Sequence, residues 1–102
     1  MFIVFKRNDL THEQCLAQWN SERHISIVRK TPGLQKWVQN HVTSVPNEAA
    51  PDGIGELWFG DAEALEKGMN SPEMAAAVED AKNFFDMDRT YALVLEEKRI
   101  LG

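Results

Sequence analysis

The sequence predicts an α+β fold in which one sheet of four antiparallel strands carries helices on one face. Three observations predict it. Short apolar, β-branched or aromatic runs occur at Met1–Lys6, Leu34–Val42, Gly53–Phe59 and Tyr91–Arg99. Stretches with helical periodicity separate the first run from the second and the third from the fourth. Between the second and third lies only a polar loop, Thr43–Asp52, as expected of two strands that pair directly.

Met1–Lys6 is apolar through its first five residues without polar alternation, so this strand is expected to be buried on both faces. Asn8–Leu10 connects it to a helix expected over 12–29. Thr11 and Gln14 form a capping box at its start: the threonine oxygen accepts from the fourth residue's N–H, and the glutamine reaches back. Cys15, Leu16 and Trp19 make its apolar stripe, with Ile27 near it. Thr31-Pro32-Gly33 ends it, because proline cannot continue the hydrogen-bond ladder. Leu34–Val42 alternates, placing Leu34, Lys36, Val38, Asn40 and Val42 on one face and Gln35, Trp37, Gln39 and His41 on the other. The loop that follows is long enough to suspect a role in function. After Gly53–Phe59, Asp61 caps a helix over 62–69. Ser71-Pro72-Glu73 starts another, with Met74, Val78, Ala81 and Phe85 recurring to about residue 86. Tyr91–Arg99 is apolar through Leu95 and charged beyond it.

The order β-α-β-β-α-β is the split-βαβ, ferredoxin-like plan. Its two crossovers leave one sheet face without helices, and the strands look apolar on both faces. A second copy of the chain is the simplest cover, and two such sheets face to face make a dimeric α+β barrel with a homodimer interface through the sheet faces.

At 102 residues, with 43% hydrophobic and 26% charged residues, the chain is expected to be a single globular domain over 1–102. A net charge of −5 and the lack of a basic stripe argue against nucleic acid. Apolar runs of at most five residues exclude a membrane-spanning helix, and no signal peptide is readable. One unpaired cysteine, Cys15, fits a reducing compartment, so a cytoplasmic protein is expected.

No phosphate-binding, dinucleotide, CxxC, HExxH or GxSxG pattern is present, and one cysteine cannot build a cysteine-rich zinc site. The three histidines, His12, His24 and His41, have no i, i+4 partners, so neither a metal nor another cofactor is expected. Three features carry chemistry. His24 can give and take a proton near neutral pH. It follows Trp19 by five residues, which in a regular helix turns it away from the stripe; it reaches over the sheet only if the helix bends. Glu56 lies between Ile54 and Trp58, and Lys6 follows Val4, so the two are either a structural ion pair or groups aimed into a pocket. Asn40 and His41 end the second strand on opposite faces. The aromatic residues Trp19, Trp37, Trp58, Phe59 and Tyr91 are either core or the walls of a site for a flat, apolar ligand.

Phe5-Lys6-Arg7, a helix holding Trp19 and His24, Pro32-Gly33-Leu34, Trp37–Val42, Asp52–Phe59, Ser71-Pro72-Glu73 and the segment from Asp80 to Asp86 occur in an order that resembles the EthD family. That family takes its name from ethyl tert-butyl ether degradation, and the resemblance spans nearly the whole chain. It implies a dimeric α+β barrel whose relatives include methylmuconolactone isomerases and cofactor-free polyketide cyclases, decarboxylases and dehydratases. Others are accessory proteins of oxidative degradation clusters, and some barrels of this type are monooxygenases. By resemblance His24 is the acid/base candidate, with Lys6, Asn40, His41 and Glu56 where pocket polar groups belong. Two departures stand out: relatives often place the histidine four residues after the tryptophan, and a larger aromatic is common where Cys15 stands. The expected function is therefore cofactor-independent proton transfer, by an isomerase, cyclase, dehydratase or decarboxylase, on a flat aromatic, polyketide-like or lactone molecule. Catalytic roles fall to His24, Glu56 and Lys6, and ligand contacts to Trp19, Trp37, Asn40, His41 and Trp58. The alternatives are a non-catalytic accessory or binding protein and a monooxygenase-type oxidoreductase.

Overall fold

A computed structural model describes all 102 residues. Its elements are β1 (Phe2–Val4), α1 (His12–Trp19), α2 (Glu22–Val28), β2 (Leu34–His41), β3 (Gly53–Phe59), α3 (Ala62–Met69), α4 (Pro72–Ala81) and β4 (Tyr91–Ala92). The sheet order is β2-β3-β1-β4 with every neighbour antiparallel, the ferredoxin-like arrangement. Ile3, Val4 and Phe5 in and beside the central strand β1 are all buried.

Each helical crossover is made of two helices. The helix expected over 12–29 breaks at Asn20-Ser21. The capping box forms as expected: Thr11 Oγ1 accepts from the Gln14 N–H at 3.1 Å, and Gln14 Oε1 accepts from the Thr11 N–H at 2.9 Å. Ser21 then takes an extended backbone (φ −78°, ψ 150°), and its Oγ accepts from the His24 N–H at 3.3 Å. A serine that caps the following turn competes with helix continuation, which accounts for the break. Asp61 and Ser71 cap α3 and α4 in the same way, at 2.8 and 3.1 Å. Helix α4 stops at Ala81 rather than near residue 86. The chain turns there so that Phe84 and Phe85 pack into the core, and Lys6 bridges to Phe85.

The last strand is shorter than expected. Only Tyr91–Ala92 pairs with β1, and the Leu93 N–H donates to Met1 O at 2.7 Å. Running antiparallel, the chain passes the first residue of its partner there, so Val94 and Leu95 have no strand to join and stay 79% and 58% exposed.

Helices cover the face onto which Gly53 and Gly55 open. A Cβ on Gly53 would lie 2.7 Å from Trp19 Cζ3, and one on Gly55 would lie 3.1 Å from Trp19 Cζ2, so these glycines admit the indole against the sheet. Strand pairing carries that face to Phe2 and Val4 in β1, Leu57 in β3, and Trp37, Gln39 and His41 in β2. Lys36, Val38, Asn40, Ile54, Glu56 and Trp58 lie on the helix-free face. The expected alternation of the second strand fails at its start. A register shift between Leu34 and Lys36 turns Leu34 to the helix side, where it packs on the cluster of Val28, Met74 and Ala77 together with Trp37 and Leu57. No helix is long and apolar enough to cross a membrane.

Candidate functional site

Between the helices and the sheet lies a cavity of about 60 Å³. Phe2, Gly55 and Leu57 line it from the sheet, Trp19 and Trp37 from the sides, and α4 from above. Twelve of its fourteen lining residues are hydrophobic, and the other two are Gly55 and His24. His24 is thus the one polar side chain in the wall.

The break at Ser21 puts it there. His24 is the third residue of α2 and only 4% exposed. Its Nδ1 lies 3.0 Å from Asp80 Oδ2 on α4. Asp80 is itself 7% exposed, and its other oxygen accepts from Arg23 at 2.8 Å and from Asn83 Nδ2 at 3.2 Å. The Phe84 ring meets the imidazole edge-on at 4.9 Å, and Trp37 does so at 6.1 Å. Burial pushes the His24 pKa below its ordinary value, and the hydrogen bond and charge of Asp80 offset only part of that. The ring is therefore neutral at pH 7. With Asp80 accepting from Nδ1–H, the lone pair sits on Nε2, which has no protein partner. A neutral imidazole oriented by a buried carboxylate is a general base, and the imidazolium formed when it accepts a proton lies against that same carboxylate.

Of the residues singled out from sequence, Trp19 and Trp37 share the cavity with His24. His41 lies outside it, stacked on Trp19 with ring centroids 5.3 Å apart, its Nε2 2.8 Å from Gln39 Oε1. Asn40, Glu56 and Trp58 are on the other face of the sheet. There Asn40 Nδ2 donates to Glu56 Oε1 at 2.7 Å, and the Lys36 ammonium sits 4.5 Å from the Trp58 ring. Lys6 neither pairs with Glu56 nor lines the cavity; its backbone N–H donates to Asp52 Oδ2 at 2.8 Å. His24, Glu56 and Lys6 therefore do not form one constellation. The strand period sets which residues share a face but not which face the helices cover. Tyr91 is 51% exposed and Phe59 packs under Gly68, so neither contributes to the cavity.

Asp80 is the residue that sequence reasoning passed over. It sits beside the buried stripe of Met74, Ala77 and Ala81, and a carboxylate on the inner face of an amphipathic helix is the signal that was available. A second histidine–aspartate pair was also missed. His12 Nδ1 lies 2.6 Å from Asp52 Oδ1, and its Nε2 lies 2.7 Å from Val42 O. Two acceptors on one ring favour the imidazolium, and the hydrogen bond to Asp52, against a smaller desolvation effect, raises the His12 pKa. This pair ties the start of α1 to both ends of the loop between β2 and β3. No group of three or more His, Cys, Asp or Glu side chains comes together as a metal site.

An apolar cavity roofed by helices on a ferredoxin-like sheet, with one acid/base side chain in its wall, defines a small α+β protein with a single candidate site. The chain belongs to the EthD family: the model of the EthD domain matches residues 7–88. Its fold is similar to the crystal structure of an ethyl tert-butyl ether degradation (EthD) family protein from Bacillus halodurans. The TM-score is 0.75 at 21% identity over 95% of each chain. No curated protein matches the chain in sequence.

Proposed function

We propose that this protein performs cofactor-independent proton transfer on a neutral, largely apolar small molecule, as an isomerase, cyclase or dehydratase does. The observation that carries this reading is His24, the lone polar side chain of an apolar cavity, with Asp80 on Nδ1 and a free lone pair on Nε2. In this mechanism Nε2 takes a proton from a carbon next to a carbonyl. Asp80 stabilises the imidazolium, and the proton returns at another atom of the same molecule. Lys6, Asn40 and Glu56 have no part in it, since none reaches the cavity. A flat aromatic ligand requires movement of the wall: about 60 Å³ is well below the ~150 Å³ of an engineered apolar cavity that takes benzene.

A test with a defined probe is deuterium exchange at the α-carbons of 2-tetralone, a neutral, bicyclic, carbon-acidic ketone, followed by NMR in D₂O. The protein is expected to accelerate exchange, and His24→Ala to remove roughly a hundredfold or more of the acceleration, within the ~10²–10⁴ range of general acid–base catalysis. Exchange at the buffer rate despite ketone binding refutes the catalytic reading. It leaves the second one, a binding or accessory protein, which the absence of any other polar group in the cavity wall favours.

We also infer that the whole chain acts as one domain, pairs with a second copy through the helix-free sheet face, and works in the reducing cytoplasm. Val38, Ile54 and Trp58 are only half-buried on that face, and Leu93, Val94 and Leu95 are exposed. The buried free thiol of Cys15 is in keeping with that compartment. A folded monomer in sedimentation at micromolar concentration refutes the pairing.

A further inference from the structure

A second concavity lies on the outer side of Trp37. It is an open groove of about 400 Å³ between β2 and the α1–α2 break, lined by Asn20, Ile25, Trp37, Gln39 and His41. Trp37 is the one residue that belongs both to this groove and to the wall of the His24 cavity. It is half-buried, meets His24 edge-on, and its indole N–H donates to no protein group. The groove carries no Lys, Arg, Asp or Glu. Its polar groups are the Asn20 amide, which has no side-chain partner, and His41, whose Nε2 is held by Gln39 while Nδ1 is free. Gln39 is in turn fixed by donating to Trp19 O at 2.9 Å, so the His41 ring is braced from two sides.

We propose that Trp37 is the gate of the His24 cavity and that the groove outside it binds the polar end of the ligand. The ligand class this assigns has a flat apolar body and a neutral hydroxyl or carbonyl at one end. The proposal rests on the cavity being the ligand site. Two observations lead to it. An aromatic body exceeds the cavity's about 60 Å³, and Trp37 is the one residue lining both spaces, so its outward rotation would join them and let one ligand span both. With no Lys or Arg side chain in either space, a carboxylate loses hydration without a permanently charged partner, whereas a hydroxyl finds Asn20 and His41.

The test is calorimetric binding of three matched probes: toluene, p-cresol and p-toluate. In the wild-type protein p-cresol is expected to bind at least tenfold more tightly than either of the others. Asn20→Ala with His41→Phe, which keeps the stack on Trp19, is expected to bring p-cresol down to the affinity of toluene. Toluene binding itself should be unchanged, which also shows that the double variant is folded. Trp37→Ala is expected to speed toluene association about tenfold in NMR exchange. Equal binding of toluene and p-cresol, insensitive to the double variant, overturns the groove while leaving the cavity as a ligand site. Tighter binding of p-toluate overturns the neutral ligand class. An unchanged association rate in Trp37→Ala overturns the gate. Failure of all three probes to bind both wild type and Trp37→Ala overturns the cavity as a ligand site, and this proposal with it.

Discussion

Replacing Asp80 with asparagine removes the charge behind His24 and keeps the shape. Asp80 accepts three hydrogen bonds, and the structure ranks them. Arg23 is 73% exposed, so its ion pair contributes about 0–1 kcal/mol. The bond from Asn83 is worth about 0.5–1.5 kcal/mol. The bond from His24 joins two side chains about 5–6% exposed, with a charged acceptor, and is worth about 1.5–3 kcal/mol. Asparagine retains one acceptor oxygen, so the expected net loss is about 2–3 kcal/mol, read from urea unfolding at pH 7.5 with an unchanged slope. The same variant makes a second, independent prediction. Asp80 raises the His24 pKa against the larger desolvation effect, so in Asp80→Asn that pKa falls further, as an NMR titration of the imidazole would show. A group whose folded pKa is depressed contributes stability above its unfolded pKa of about 6.5, and that contribution is lost as pH falls through the folded value. The variant therefore extends the acid-sensitive range to lower pH. A loss below about 0.5 kcal/mol together with a His24 pKa that stays or rises would refute the assignment of the pair.

Four further perturbations follow from the geometry. The raised His12 pKa gives the opposite pH dependence: stability is complete below about 6.5 and declines as pH rises through the folded value. His12→Gln should abolish this alkaline decline in unfolding midpoints measured between pH 6 and 9. The Cys15 thiol, pushed up to about 12 by burial, adds a later decline above its ordinary range, which Cys15→Ala should remove. Gly53→Ala forces a methyl to within 2.7 Å of the Trp19 ring and 2.9 Å of Asn40 O, with an expected destabilisation of about 1–3 kcal/mol in thermal unfolding. Ser21→Ala deletes the cap of α2 and should cost about 0.5–2 kcal/mol, with broadened His24 ring signals in NMR because the bend that presents the ring is loosened.

Much of the architecture was written locally. Thr11 with Gln14, Asp61, and Ser71 with Pro72 each announce a helix start within four residues, because a cap is a contact between near neighbours. The bend at Ser21 had the same kind of signal, but the apolar positions on both sides of it suggested one continuous helix. β-propensity persists through Leu95 and so predicts a longer final strand, whereas pairing stops where β1 begins. Chain length in a partner strand is not a property of the segment that needs it.

The sequence by itself determined the order of strands and helical crossovers, the hairpin between the second and third strands, and His24 as an acid/base candidate. It did so because periodicity, capping and residue chemistry are local. Only the tertiary structure decided which carboxylate serves that histidine. Glu56 shares its strand with cavity residues and points the other way, while Asp80 lies 56 residues along the chain from His24 and meets it at 3.0 Å. Strand parity divides residues into two faces with equal right. It was the packing of Trp19 onto Gly53 and Gly55 that chose the covered face, and with it which polar groups face the cavity and which face away.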